Sequence, residues 1–172
     1  INKKLKKKGL EPTYENLVKT INDIAGIRIV CSFIPDIYKI VEMFENMNDI
    51  TVIKKKDYVT TPKPSGYSSY HLIISVPVSL SVGTINVKVE IQIRTMAMDF
   101  WASLEHKINY KYDKQIPKGI KKELKECAKM TQKLDKRMSH LGRNLMEEEK
   151  QIVKEITAEY ATVYTTALLT SN

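Results

Sequence analysis

Cysteine is nearly absent from this chain: Cys31 and Cys127 are the only two in 172 residues. They form neither a CxxC pair nor a metal-ligand spacing, which argues against a disulfide framework and a structural zinc site and leaves two buried free thiols as the expectation. Long apolar runs are missing too. No stretch reaches the length of a bilayer crossing and no signal-peptide pattern opens the chain, so a cytosolic protein is expected. Acidic residues are outnumbered, 20 against 28 Lys and Arg, for a formal charge of +8 and a pI near 9.3. That excess favours phosphate-bearing partners, nucleotides and nucleic acids alike. Hydrophobic content of 42% and charged content of 28% are those of an ordinary soluble domain that can bury its own core.

The most ordered pattern present is the segment 87–113. Val87, Val89, Ile91 and Ile93 alternate with Lys88, Glu90, Gln92 and Arg94, which predicts a strand with one packing face and one polar face. Phe100, Trp101, Leu104, Ile108 and Tyr112 then recur at helical spacing, with Thr95 as the N-cap. Alone, the segment reads as an ordinary edge strand with a solvated polar side.

Its neighbours give the polar face more weight. Ile27–Phe33 is a short β-branched run between Gly26 and Pro35, expected to be a buried strand in which Arg28 needs an anionic or aromatic partner. A helix is expected from Asp36 to Met47, with Ile37, Ile40, Val41 and Phe44 inward, and a second strand over 50–53. The segment 54–71 holds Pro62, Pro64 and Gly66 with Lys56, Lys63, Tyr67 and His71, and reads as a mobile loop feeding a third strand. Close spacing through Ser81–Thr84 predicts an antiparallel hairpin that sets His71 and Glu90 on one face. The expected fold is therefore α/β (α+β): a mixed sheet flanked by helices, its polar face collecting Asp23, Arg28, His71, Glu90, Gln92 and Arg94. Two carboxylates near strand ends suit Mg²⁺, nearby cations suit a transferred phosphoryl group, and Tyr67 suits stacking on a base.

The ends carry helical patterns. The chain opens on Ile1 rather than Met and runs into a lysine cluster that includes Lys3 and Lys7 and stops at Gly9, so a preceding segment is expected. Ile120, Leu124, Cys127, Thr131, Leu134, Met138, Leu141 and Leu145 form a heptad seam, read as one long C-terminal helix packed on the domain or against another subunit. Three parts follow: a core over 1–116, a helical extension for oligomerisation over 117–156, and an unassigned tail over 157–172.

The strings DIAGIRIVCSF (23–33), KDYVTTPKPSGYSSYH (56–71) and VEIQIRTMAMDFWASLEHKINYKY (89–112), with the basic helix after them, resemble the synthetase domain of the RelA/SpoT alarmone synthetases. The likeness is to the small single-domain bacterial forms and covers roughly residues 1–145. It implies a nucleotidyltransferase-like fold and Mg²⁺-dependent transfer of pyrophosphate from ATP to the 3′-hydroxyl of GDP or GTP, giving ppGpp or pppGpp. By position, Asp23 and Glu90 resemble the metal ligands, with Glu90 also the base. Arg28 resembles the arginine that packs on adenine, with Lys3 and Lys7 on the ATP side. Tyr67 resembles the tyrosine that stacks on guanine. Lys56, Lys63, His71, Gln92 and Asp99 fall at acceptor-nucleotide positions, although relatives can carry Arg and Asn where Lys56 and Asp99 stand.

The resemblance also implies a homotetramer, and synthesis without the hydrolase activity of the long relatives, since no His-Asp pair is present. Two other readings stand beside it: a toxin-type relative that acts on the 3′ end of tRNA, and a non-catalytic RNA-binding module. RNA is the less favoured partner, because Glu90 and Asp23 would repel its phosphates.

Overall fold

The computed structural model describes residues 5–6, 9–11, 13, 25–81, 83–112 and 115–170, with 158–170 described by backbone alone. Among the described residues the strands and helices follow one another in the order β1 (Ala25–Cys31), α1 (Ile34–Glu45), β2 (Thr51–Asp57), β3 (Tyr70–Leu80), β4 (Gly83–Thr95), α2 (Met96–Lys111) and α3 (Lys118–Thr170), with β4 inside the sheet and not at its edge. They form one mixed sheet in the order β1-β4-β3-β2, in which β1 runs parallel to β4 and the other pairs are antiparallel. The expected architecture, including the β3-β4 hairpin and the long last helix, is the one present.

The alternation in β4 does what its period of two requires. Ile91 and Ile93 pair with Leu72 and Tyr70 of β3 and meet Ile37 and Val41 of α1 in the main core. Full burial of such side chains contributes roughly 1.5–3 kcal/mol each. The opposite face carries His71, Glu90, Gln92 and Arg94. A row runs straight across it, because Arg28 is in register with Gln92, Gln92 with His71, and His71 with Lys56.

Several local expectations need correction. Strand β2 begins at Thr51 and continues to Asp57 past an irregularity between Val52 and Lys54, so Lys56 lies on a strand and not in the loop. Strand β1 is an edge strand: Ile27 and Val30 are exposed, and the Arg28 side chain is 51% exposed rather than buried. Helix α1 starts at Ile34, with Pro35 in its first turn and Asp36 Oδ2 accepting the Phe33 N–H at 3.2 Å. In α2 the buried face is Met98, Trp101 and Ala102, while Phe100 and Leu104 face outward. Thr95 is the N-cap as expected, its hydroxyl accepting the Met98 N–H at 3.2 Å. Cys31 is half-buried and Cys127 is exposed, so only the first approaches the expected environment. The Cys31 thiol donates to Arg94 O at 3.2 Å, and burial pushes its pKa up to about 11.

Helix α3 runs unbroken through Thr170, so the helical extension expected over 117–156 continues into the segment left unassigned. Only the first part of its heptad seam meets the domain, where Leu124 packs against the Trp101–Ala128 cluster, while Leu134, Met138, Leu141 and Leu145 are exposed. The docking stripe lies one residue further round, at Ala128, Gln132, Asp135, Ser139 and Gly142. Asp135 accepts the Thr95 hydroxyl at 2.7 Å, and Ser139 Oγ accepts the Ile34 N–H at 3.1 Å, satisfying a free donor at the start of α1. Gly142 meets the Phe33 ring so closely that a Cβ there would stand 2.5 Å from it. Small and polar residues let α3 approach the β4-α2 corner and complete its hydrogen bonds, which leucines could not do.

Candidate active site

The segment between β2 and β3, residues 58–69, reads from its prolines and glycine as mobile, yet it is tied down. Asp57 Oδ1 accepts the N–H groups of Val59 and Thr60, at 2.8 and 3.0 Å. Lys63 N–H donates to Tyr67 O at 3.0 Å and Gly66 N–H to Lys63 O at 2.8 Å, closing a turn at Gly66, whose φ of 97° suits glycine. Tyr58 N–H donates to Ser69 O at 3.0 Å, fastening the base of the loop. Tyr67 is thereby directed onto the polar face of the sheet. Lys63 Nζ lies over the rings of Tyr58 and Tyr67, 4.7 and 4.6 Å from their centroids.

On that face five side chains close a hydrogen-bonded ring. Arg94 donates through one terminal nitrogen to the Tyr67 hydroxyl at 2.8 Å and to Gln92 Oε1 at 2.7 Å. Tyr67 OH is 2.8 Å from His71 Nε2, His71 Nδ1 is 3.1 Å from Glu90 Oε1, and Gln92 Nε2 donates to Glu90 Oε2 at 3.3 Å. Both arms of the ring therefore start at Arg94 and end on Glu90. The tautomer follows from that direction: the phenol donates to Nε2, and Nδ1–H donates to the carboxylate. The His71 pKa is lowered: burial outweighs the opposing hydrogen bond and charge of Glu90, and Lys63 and Arg94 add smaller contributions in the same direction as burial. A neutral imidazole is the form that this hydrogen-bond order needs.

Asp99, from the first turn of α2, ties the ring to the edge strand. Its Oδ1 accepts from Arg94 at 3.0 Å and lies 3.3 Å from the Arg28 guanidinium. The sequence expectation of an acceptor contact at Asp99 thus meets a carboxylate already bridging two arginines. Arg94, 5% exposed in its side chain, holds three partners, and its Nε is buried without one. Beside it lies an open cavity of ≈ 300 Å³ whose walls include Arg28, Tyr67, Arg94, Ser103, His106 and Lys107.

Of the residues picked from sequence, Arg28, Lys63, Tyr67, His71, Glu90, Gln92 and Asp99 come together, and Lys56 extends the row at the β2 edge. Asp23, Lys3 and Lys7 lie outside the described residues. The alternation of β4 puts Arg94 on the polar face and assigns it no specific role. The α2 residues Ser103, His106 and Lys107 had no signal beyond falling one and two turns beyond Asp99. Glu90 is the single carboxylate on this face among the described strand residues, set among Arg28, Lys54, Lys56 and Arg94. Each of its oxygens accepts one hydrogen bond and keeps lone pairs, which is the hard-oxygen chemistry that Mg²⁺ takes.

A mixed sheet with a cationic polar face and a tyrosine-bearing loop tied down over it defines an α/β domain with an open, basic site. The chain belongs to the RelA/SpoT family, whose model, described as the region found in RelA / SpoT proteins, matches residues 1–115. It is 55% identical over 114 residues to GTP pyrophosphokinase YwaC of Bacillus subtilis, covering 66% of this chain and 54% of that protein. With GTP pyrophosphokinase YjbM of the same organism it shares 49% identity over 100 residues, 58% of this chain and 47% of the other. The chain thus matches about half the length of these relatives. Among solved structures, small alarmone synthetase 2 of Bacillus subtilis is similar at a TM-score of 0.76 and 49% identity, over 83% of this chain and 73% of that one. Small alarmone synthetase 1, bound to its product pppGpp, matches at a TM-score of 0.76 and 40% identity, over 83% and 72%.

Proposed function

We propose that this chain transfers pyrophosphate from ATP to the 3′-hydroxyl of GDP or GTP, making ppGpp or pppGpp. The observation that carries the reading is the position of Glu90, the one carboxylate on the basic face among the described strand residues, hydrogen-bonded to His71 beneath the Tyr67 loop. The likeness to two GTP pyrophosphokinases and to a synthetase holding pppGpp supports the same chemistry.

In this reading Tyr67 stacks on guanine, and Lys63 and Lys56 face the acceptor phosphates, while His71, with both ring nitrogens engaged, serves the acceptor site by orienting Tyr67 and Glu90. Gln92 and His71 hold the two Glu90 oxygens so that one can take the proton of the 3′-hydroxyl. The freed oxygen attacks the β-phosphorus of ATP, the bond from that phosphorus to the bridging oxygen of the α-phosphate breaks, and AMP leaves. Arg28, at the rim of the cavity, packs on adenine, and Lys3 and Lys7, outside the described residues, are assigned to ATP by the resemblance alone. Asp23 and Glu90 would hold Mg²⁺, which when bound neutralises charge on the transferred phosphates. Arg94 keeps Tyr67 and Gln92 in place.

The setting goes with a cytoplasmic enzyme, and among the described residues no helix is long and apolar enough to cross a membrane. The exposed row Leu134, Met138, Leu141 and Leu145 is read as a contact between subunits of a homotetramer. The decisive test is to incubate the full-length protein with ATP, Mg²⁺ and GDP or GTP and resolve the products. A 3′-pyrophosphorylated guanine nucleotide and AMP in equal amounts are expected. Well-folded protein that yields neither sinks the reading.

A further inference from the structure

The loop that carries Lys63 and Tyr67 owes its internal shape to its own backbone turn, but its tip is also held from outside by α3. Gln132 Nε2 donates to Gly66 O at 3.2 Å. At the same point a Cβ on Gly66 would stand 2.4 Å from the Ala128 Cβ and 3.7 Å from the Trp101 ring, so the loop backbone rests directly on the helix. Trp101 fixes that stretch of helix in turn, donating from its indole to Leu124 O at 3.0 Å. Gly66 immediately precedes Tyr67, whose hydroxyl belongs to the ring on the sheet. Any displacement of the Gly66 carbonyl must therefore swing the Tyr67 ring or break its bonds to His71 and Arg94. Lys63 moves with it, because the Gly66 N–H is bonded to Lys63 O at 2.8 Å.

We propose that Gln132 is a positioning residue for acceptor recognition: from α3 it holds Gly66 and so fixes the seat of Tyr67 and Lys63. The inference rests on the reading of this loop as the guanine-nucleotide site. It makes α3 part of the site's support, although α3 contributes no group to the ring. The contact is specific in direction, since a carbonyl needs a donor. Gln132→Glu keeps the length and loses the donor, turning the contact into a repulsion, whereas Gln132→Lys replaces the amide with an ammonium donor on a side chain long enough to reach.

The test has two independent arms. In the kinetic arm, Gln132→Ala is expected to raise KM for the guanine nucleotide about three- to tenfold, in line with loss of one hydrogen bond. KM for ATP and kcat should stay within twofold, Gln132→Glu should be at least as impaired as Ala, and Gln132→Lys should return toward the parent. In the second arm, amide hydrogen exchange over 58–69 is followed in the ligand-free protein, which needs no assumption about activity. Faster exchange in the Ala and Glu variants, reversed in Lys, is expected. A parent protein inactive on guanine nucleotides would overturn the functional reading, and the exchange pattern would still decide whether the latch exists. Equal exchange in all four proteins, or faster exchange with an unchanged acceptor KM, would overturn the role of Gln132.

Discussion

The Tyr67 hydroxyl and His71 Nε2 lie 2.8 Å apart, which joins the loop to the sheet at the point where Glu90 is also held. Glu90 is therefore not a free surface acid: His71 and Gln92 fix both of its oxygens. Glu90→Gln removes the charge and the basicity while nearly keeping the shape. The expected result is a fall in kcat of about 10²–10⁴-fold with thermal stability almost unchanged. Near-parental turnover in this variant would remove Glu90 from the chemistry and leave it a partner of His71.

Arg94 supports the same ring from below, and only a guanidinium matches its three partners. The Lys ammonium is a compact charge that cannot reach Tyr67, Gln92 and Asp99 together. Arg94→Lys is expected to lose about 2–3 kcal/mol in urea unfolding, at the lower end for a broken buried pair because Asp99 keeps Arg28 as a partner. Acceptor KM should rise as Tyr67 loosens. An Arg94→Lys protein with the parental urea midpoint would mean that the ring contributes nothing to stability.

How much of this was legible beforehand depends on the kind of contact. The polar face could be read because strand alternation depends on sequence neighbours alone: His71, Glu90 and Gln92 fall where the period of two puts them, whereas Arg28 stands out only as the one cation of a run that reads as buried. The closure of the ring could not, since it depends on how the Gly66 turn directs Tyr67 over β4, a contact between residues 27 positions apart. The sequence leaves the α3 seam open between the domain and another subunit, and the stripe that docks on the domain is not legible in it for a physical reason. Leu134, Met138 and Leu141 look like a core because they are large and apolar, whereas the surface that docks, one residue on at Asp135, Ser139 and Gly142, is small and polar because it must fit a helix start and a strand end. The Thr95 cap was visible in sequence; its second bond, to Asp135, was not.

That second bond gives a pH-dependent prediction. Burial raises the Asp135 pKa above the ordinary 3.8, and the Thr95 hydroxyl only partly opposes the shift. The folded state then holds the proton more tightly than the unfolded state, so this group's contribution to stability is fully present below 3.8 and is lost as pH rises through the folded value. The neighbouring Cys31 thiol, with its pKa near 11, stays neutral throughout. Asp135→Asn keeps an acceptor for Thr95 without the charge, so it should be at least as stable as the parent at pH 7, with the gap closing on acidification. Asp135→Ala strands the buried Thr95 hydroxyl and should cost about 1–3 kcal/mol. Thermal unfolding of the three proteins at pH 4 and pH 7 measures both effects; an Asn variant markedly less stable at pH 7 would show that the carboxylate is stabilising.

The outer face of α3 yields the assembly prediction. Leu134 and Leu141 are 58% and 54% exposed, two turns apart on the same side, with Met138 between them and Leu145 beyond. Exposed in a lone chain, these side chains form a contiguous apolar row that a soluble protein would be expected to cover. The docking residues Asp135, Ser139 and Gly142 point elsewhere, so Leu134→Asp with Leu141→Asp should leave the contacts to Thr95, Ile34 and Phe33 intact. Light scattering should find the double variant shifted toward monomer, with its far-UV circular dichroism and Trp101 emission unchanged. If acceptor KM then rises in step with dissociation, the helix would link assembly to the loop through Gln132. If the double variant keeps the parental mass, the row is not the subunit contact, and the reading of α3 as an assembly helix fails.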